Sequence, residues 1–287
     1  MPNLKDIKTR IGSVKKTRQI TAAMKLVAGA KLRKATERAL SARPYQQHLS
    51  DVLGRVAASA GEQYSDPLLE RRDEVKSILV VILTSDKGLC GPFNSILLRH
   101  AVHWLQEWRD EDGVEIHLKV YGRKGVDFLT HRDWKNDKVL QYQQTPRMDL
   151  VRTLCTEMTS GFAEGRFDEV WLVYNQFVNT MIQRPQIARA VPLALPESED
   201  AGFIDHRYEP SAEGLLGRLL PLYLRTVVLQ AFLETEAGEH AARMTAMDNA
   251  TRNASDLIDT LTLDYNRARQ AAITSEIIEI VSGAEAL

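Results

Sequence analysis

The chain lacks a disulfide framework, a long apolar run and any familiar catalytic signature. Its 287 residues contain two cysteines, Cys90 and Cys155, too few for a stapled scaffold and in keeping with a reducing compartment. The longest uncharged run, 170–183, contains Asn175, Gln176 and Asn179 and falls short of the ~18 apolar residues that a membrane span needs. The first residues, MPNLKDIKTR, are charged with no apolar segment behind them, so no secretory signal is expected. No GxxxxGK[ST], GxGxxG after a strand, HExxH, CxxC or GxSxG occurs, which leaves no phosphate, dinucleotide, zinc or serine-hydrolase motif to build on. The seven histidines show no metal-ligand spacing with cysteine or carboxylates, and no catalytic residue, metal or cofactor is expected. With 44% apolar and 26% charged residues, the composition is that of a globular protein and not of a disordered or fibrous one.

Net charge is −1, yet its distribution is uneven. Residues 1–59 carry 13 Lys/Arg against 3 Asp/Glu, residues 211–287 carry 6 Arg, no Lys and 11 Asp/Glu, and the middle is left with −6. Oppositely charged ends favour lying together.

Proline divides the chain. None falls between Pro2 and Pro44, and none follows Pro221, so each end can hold a long helix. At the N-terminal end Ile7, Ile11, Val14, Thr17, Thr21, Met24, Ala28, Leu32, Ala35 and Ala39 step by three or four, a narrow stripe of small residues suited to a coiled coil rather than to a broad core. Pro44 is expected to kink or end that first stretch. At the other end Ala250, Ala254, Leu257, Leu261, Tyr265, Ala268 and Ala272 repeat the pattern, in a helix expected over 221–281. The boundaries expected are 1–60 for an N-terminal helix, 61–210 for an inserted α/β domain and 211–287 for a C-terminal helix. The middle alternates strand and helix: strands at 75–84, 115–121, 169–177 and 186–195, helices at 92–109, 124–131 and 149–163. The fold class that results is an antiparallel coiled coil of terminal helices with an inserted Rossmann-like α/β domain.

Three features invite functional readings. The loop TSDKGLCGPFNS, 84–95, follows a strand and opens a helix, where α/β folds bind ligands. Gly88 and Gly91 could admit a phosphate, or they could simply serve a βα turn that needs positive φ. Cys90 within it reads as a reactive thiol or, more plainly, as a small buried residue. The basic N-terminal helix could bind nucleic acid, but its charges surround the stripe and no aromatic precedes Tyr45, so a solvated helix is the plainer reading and no nucleic-acid partner is expected. The end of the chain is apolar nearly all round at Ile277, Ile278, Ile280 and Val281, which calls for a socket in its own domain or in other subunits.

The segments IKTRIGSVKKTRQITAAMKLVAGAKLRKA, TSDKGLCGPFNS and EHAARMTAMDNATRNASDLIDTLTLDYNRARQAAITSEIIEIVSGAEAL resemble, in order, those of the gamma-subunit family of F-type ATP synthases, over residues 2–287. The resemblance implies a non-catalytic rotor. Its paired terminal helices penetrate a hexamer of alternating alpha and beta subunits, and its base meets the epsilon subunit and the c-subunit ring. Proton flow turns the shaft and drives the beta sites through their states, in synthesis or in reverse hydrolysis, with ATPase activity and proton flow regulated on the way. It places the chain peripherally at the cytoplasmic face of a bacterial inner membrane. By the same resemblance, Arg269 and Gln270 face a beta-subunit catch loop, Met24 faces Arg243 in the shaft seam, Ile277, Ile278, Ile280 and Val281 form a bearing tip, and Arg207, Tyr208 and Glu209 lie at the foot near the c ring. The family pattern has arginine at Lys87, glycine at Pro92 and lysine at Ala22; lysine keeps the charge but not the bidentate geometry. No insertion with paired cysteines is present, so the thiol regulation of chloroplast relatives is not expected. The competing readings are an α/β nucleotide-binding enzyme with a helical dimerisation arm and a basic coiled-coil nucleic-acid binder.

Overall fold

A computed structural model describes residues 4–61, 64–110, 113–132, 134, 137–139, 147–195, 208–209 and 211–285. The elements in order are α1 (Leu4–Ala60), β1 (Ser77–Leu83), α2 (Phe93–Asp110), β2 (Glu115–Tyr121), α3 (Arg123–Thr130), β3 (Asp137–Val139), α4 (Arg147–Ala163), β4 (Glu169–Phe177), β5 (Gln183–Val191) and α5 (Ala212–Glu285). They divide into two compact units, one of Met1–Gly29 with Arg243–Leu287 and the other of Ala30–Ala242.

In the larger unit the sheet order is β3-β2-β1-β4-β5. β2, β1, β4 and β3 run parallel, and β5 closes the edge antiparallel to β4. Strand β1, SILVVIL, is buried on both faces, as a central parallel strand must be. Its two-residue period splits the core: Leu79, Val81 and Leu83 join α4, the end of α1 and the start of α5 on one side, while Ile78, Val80 and Ile82 meet α2 and α3 on the other. Pro185 sits in β5, on the edge strand where its missing donor costs least.

Two prolines do not do what their residue type suggests. α1 neither ends nor restarts at Pro44; it continues to Ala60. An internal proline costs about 3 kcal/mol. Leu49, Leu53 and Val56, the next apolar positions of the same helix, are all buried, and at ~1.5–3 kcal/mol each they outweigh it. α5 likewise begins nine residues before Pro221, at Ala212. Ser211 caps it, its Oγ accepting from Gly214 N at 3.2 Å, and Leu216, Leu220, Leu224 and Val228 are fully buried across the proline. This apolar stretch makes α5 pass, by length and composition, as the one helix fit to cross a membrane among the described residues, although no long uncharged run announced it. Within the larger unit that stretch is core against the sheet. Gly238 does not break α5. A Cβ there would meet Phe93 at 3.0 Å and Gln183 at 3.2 Å, so glycine allows a close approach of α5 to α2 and β5.

Strand β5 starts and ends earlier than the expected 186–195, and β3 was not expected. It is three residues long and pairs only with β2, too short to leave a periodic signal.

Candidate functional site

The smaller unit is an antiparallel pair of helical segments. Thr251 Oγ1 donates to Thr21 Oγ1 at 2.8 Å, Lys25 Nζ meets Asp248 Oδ1 at 2.6 Å, and a Cβ on Gly29 would lie 3.5 Å from Met244 Sδ. Partner numbers fall as those of α1 rise, as antiparallel pairing requires. On the α5 side Met247, Thr251, Ala254, Ile258, Leu261, Tyr265, Ala268 and Ala272 are buried or half-buried in steps of four and three that make a heptad seam, and half-buried Ala250 and Ser255 flank it. Leu257, read as a seam member, is exposed and Ile258 takes its place. On α1 Thr17 is exposed, although Ile7, Thr21 and Ala28 are buried as expected. Arg18, the residue after Thr17, is exposed as well; half-buried Lys25, four after Thr21, reaches its acidic partner from the seam.

The hydrogen bond from Lys25 is the main reason the Asp248 carboxyl lies below its ordinary range; slight burial pushes the other way, and Arg252 adds to the lowering. Lys25→Ala is therefore expected to raise the Asp248 pKa toward the usual carboxylate value, read by NMR titration of its side-chain carboxyl. An unmoved titration would show that Arg252 alone holds the charge.

Met24 is half-buried and Arg243 is buried, both in this unit. Arg269 and Gln270 are exposed. Ile277, Ile278, Ile280 and Val281 are 51–71% exposed, so no part of the chain's described residues covers them. Ile20, Leu26, Val27, Leu263 and Ile273 are also exposed. Not among the residues singled out from the sequence, they are marked there by phase alone: each is apolar yet off the seam. In the larger unit, Tyr208 is half-buried, packs against the core and accepts from Ser59 Oγ at 3.3 Å, while Glu209 is exposed. Arg207 lies outside the described residues.

The loop after β1 was the candidate phosphate cradle, and its polar groups are already engaged. Ser85 N donates to Asn94 Oδ1 at 3.0 Å. Asn94 Nδ2 donates to Ser85 Oγ at 2.8 Å, and Ser85 Oγ donates to Lys87 O at 2.8 Å. Thr84 Oγ1 donates to Tyr121 O and accepts from Gly125 N, both at 2.9 Å. Asp86 Oδ1 accepts from Arg123 N at 3.0 Å, which places a carboxylate where an anion would have to come. The left-handed residues are Leu89 at φ 61° and Gly91 at 56°, not Gly88. The geometry is that of a turn holding β1 to α3. Cys90 is buried with Asn94 Nδ2 3.3 Å from its sulfur. Burial pushes the Cys155 thiol up to about 12, against a smaller pull from Arg225, so it is no nucleophile. No group of three metal-ligating side chains occurs among the described residues.

The sequence matches the family described as ATP synthase over residues 3–287. It is 47% identical to the ATP synthase gamma chain of Pelotomaculum thermopropionicum and 46% identical to that of Desulforamulus reducens, in each case covering 100% of both chains. Among solved structures, it resembles a chain of the central stalk and c-ring of the Tetrahymena thermophila mitochondrial ATP synthase at 25% identity and TM-score 0.57, covering 80% of this chain and 99% of that one. A chain of the Euglena gracilis mitochondrial ATP synthase shares the fold at TM-score 0.67 and 21% identity, covering 99% of this chain and 94% of that one. Full-length identity at this level, with a seam of paired terminal helices and an inserted α/β sheet, leaves one assignment: the chain belongs to the ATP synthase gamma-chain family.

Proposed function

We propose that the chain is the central rotor of an F-type ATP synthase and makes or breaks no bond itself. It turns within a hexamer of alternating alpha and beta subunits, is held at its base by the epsilon subunit and the c-subunit ring, and converts proton-driven rotation into the conformational cycle of the beta sites. Hydrolysis drives the same cycle in reverse, and the shaft's angle regulates both ATPase activity and proton flow. The assembly places it peripherally on the cytoplasmic face of a bacterial inner membrane.

The observation that carries this reading is the uncovered apolar end of α5 on a heptad-paired helix. Paired helices resist bending and twisting, and an aliphatic surface offers a surrounding sleeve few directional bonds, so it can turn without locking. On this reading Arg269 and Gln270 supply polar contact with a beta-subunit catch loop just before the aliphatic tip. Met24 and Arg243 belong to the shaft seam, Ile277, Ile278, Ile280 and Val281 to the bearing, and Arg207, Tyr208 and Glu209 to the foot against the c ring. The exposed Ile20, Leu26, Val27 and Leu263 extend the surface turned toward the hexamer. Residues 1–60 and 211–287 act as the shaft and 61–210 as the domain that takes up torque.

The test is co-expression with alpha and beta subunits, with and without residues 269–287. The full chain is expected to assemble with three copies of each and to support ATP hydrolysis; the truncated chain is expected to assemble and to hydrolyse at an altered rate. If no complex forms and the chain alone hydrolyses nucleotide, the rotor reading fails.

A further inference from the structure

α5 is gripped by two ion pairs within three residues. Arg43 of α1 donates through Nη2 to Phe177 O at the end of β4, at 3.0 Å, and to Glu234 Oε1 of α5, at 3.2 Å. One guanidinium thus joins α1, α5 and the sheet. The Glu234 side chain is only 6% exposed. Its Oε1 also accepts from Gln230 Nε2 at 2.8 Å, and its Oε2 has no partner among the described residues. Burying a carboxylate is costly without a compensating charge, and Arg43 supplies it. Two residues on, Glu236 pairs with Arg147 at the start of α4 and lies 3.9 Å from Arg38 of α1. Glu234 and Glu236 thus both reach α1, and through Arg43 and Arg147 they tie α5 to the end of β4 and to α4.

The position on α1 matters as well. Arg43 directly precedes Pro44, where the helix lacks the N–H that would bond the carbonyl of Leu40. The bridge therefore crosses α1 at its weakest turn. Around it lies a cavity of about 460 Å³ bordered by Gln46, Gln47, Tyr174 and Tyr223 as well as the bridge residues. Buried apolar residues flank it on α5, Ala231, Phe232 and Leu233 among them, so the bridge adds to an apolar contact and does not replace it. Apolar contacts resist separation, but under shear they can re-form after a small slide. Directional, charge-assisted bonds with fixed donors do not slide.

We infer that the Arg43–Glu234 bridge, seconded by Arg147–Glu236, is the torsional bolt, inside the larger unit, between the α/β sheet and the α1 and α5 segments packed on it. It makes load applied to the sheet reach α1 and α5 together through directional bonds, in addition to the apolar core they share. This rests on the rotor reading above. Arg43, Glu234, Glu236 and Arg147 are then positioning residues: they touch no substrate and set the stiffness of the rotor.

The test uses the full chain assembled with alpha and beta subunits on a surface. A bead is attached through Met181→Cys, at an exposed turn, since Cys90 and Cys155 are buried. With nucleotide absent, the angular variance of the bead reports the stiffness of the path from the domain to the sleeve. In Arg43→Leu/Glu234→Leu, which removes both charges together, the variance is expected to rise about twofold because the charge-assisted bonds that stop α1 and α5 sliding against the sheet are lost. ATP hydrolysis and the thermal midpoint are expected to stay near the parent's. Arg43→Lys, which keeps the charge but not the reach and planar geometry of the guanidinium, is expected to fall between. Glu234→Gln with Glu236→Gln, isosteric and milder, decides the matter if the double leucine variant does not assemble. Variance equal to the parent's in assembled variants overturns the inference and leaves the rotor reading standing. Failure of the Met181→Cys parent itself to assemble overturns the rotor reading.

Discussion

Gly122→Ala is expected to lower the stability of the chain by about 4 kcal/mol, the sum of a strained backbone and an unavoidable collision. Gly122 has φ 96°, and a Cβ built on it lies 2.3 Å from Thr84 O and 2.6 Å from Thr84 Oγ1. Neither atom can retreat. Thr84 is fully buried; its N donates to Tyr121 O at 2.8 Å, and its hydroxyl is shared between Tyr121 O and Gly125 N. Moving Thr84 would break the crossing from β1 to its loop and from β2 to α3 at once. Gly113 separates the two contributions. Its φ is 93° and nothing lies within 4 Å of its Cβ position, so Gly113→Ala carries strain alone and should cost about 1 kcal/mol. Urea unfolding of the two variants measures both. A loss below about 1 kcal/mol for Gly122→Ala would mean that the β1 and β2 ends yield, against the dense bonding seen around Thr84.

That glycine was not singled out from the sequence, and the reason is general. A local motif marks only Gly88 and Gly91 as glycines with a special role. The constraint on Gly122 comes from Thr84, thirty-eight residues earlier, and only the parallel pairing of β1 with β2 brings them together. Signals that are local were legible. The alternation of strand and helix, the uninterrupted apolar run of β1 and the span of β4 followed from residue type and period. So did the pairing of oppositely charged ends, because a narrow stripe of small residues has few other uses. The errors lie where a local rule met tertiary packing. Pro44 was expected to kink the helix or end its first stretch and Pro221 to start one; both helices run through them, carried by buried leucines beyond Pro44 and on both sides of Pro221. The stripe is one residue off at Leu257, where Ile258 is buried, because steps of three and four fit two neighbouring faces until a partner helix selects one; at Thr17 both it and Arg18 are exposed. The aliphatic end of α5 was legible as a surface that needs a cover, since neighbours on a helix cannot all face one partner. The bridge at Arg43 was not, because three of its members are far apart in sequence and each reads as an ordinary charged residue.

Asp168 is the second position where one side chain holds several segments, and its loss is expected to cost about 3 kcal/mol. It stands just before β4, is 7% exposed, and accepts from Arg72 Nη1 at 2.5 Å, Lys76 N at 2.7 Å and Ser77 N at 2.8 Å. It thereby ties the start of β1 to the start of β4, while Arg72 goes on to donate to Phe162 O at 2.7 Å. Asp168→Ala strands two backbone donors and a partly buried guanidinium, which accounts for a cost of about 3 kcal/mol. Burial pushes the carboxyl up, but the bonds from Lys76, Ser77 and Arg72 together outweigh it and hold its pKa below the ordinary value. A carboxyl whose pKa is lower folded than unfolded contributes stability above the unfolded value of about 3.9, and loses it as pH falls toward the folded one. Asp168→Asn keeps the shape and one acceptor oxygen without titrating. The difference in stability between the natural chain and Asp168→Asn should therefore be constant near neutrality and shrink once the pH drops below about 4. Urea midpoints measured from pH 7 down to pH 3 test this. A difference that stays constant through the acid range would mean that the charge on Asp168 contributes nothing beyond the hydrogen bonds asparagine can replace.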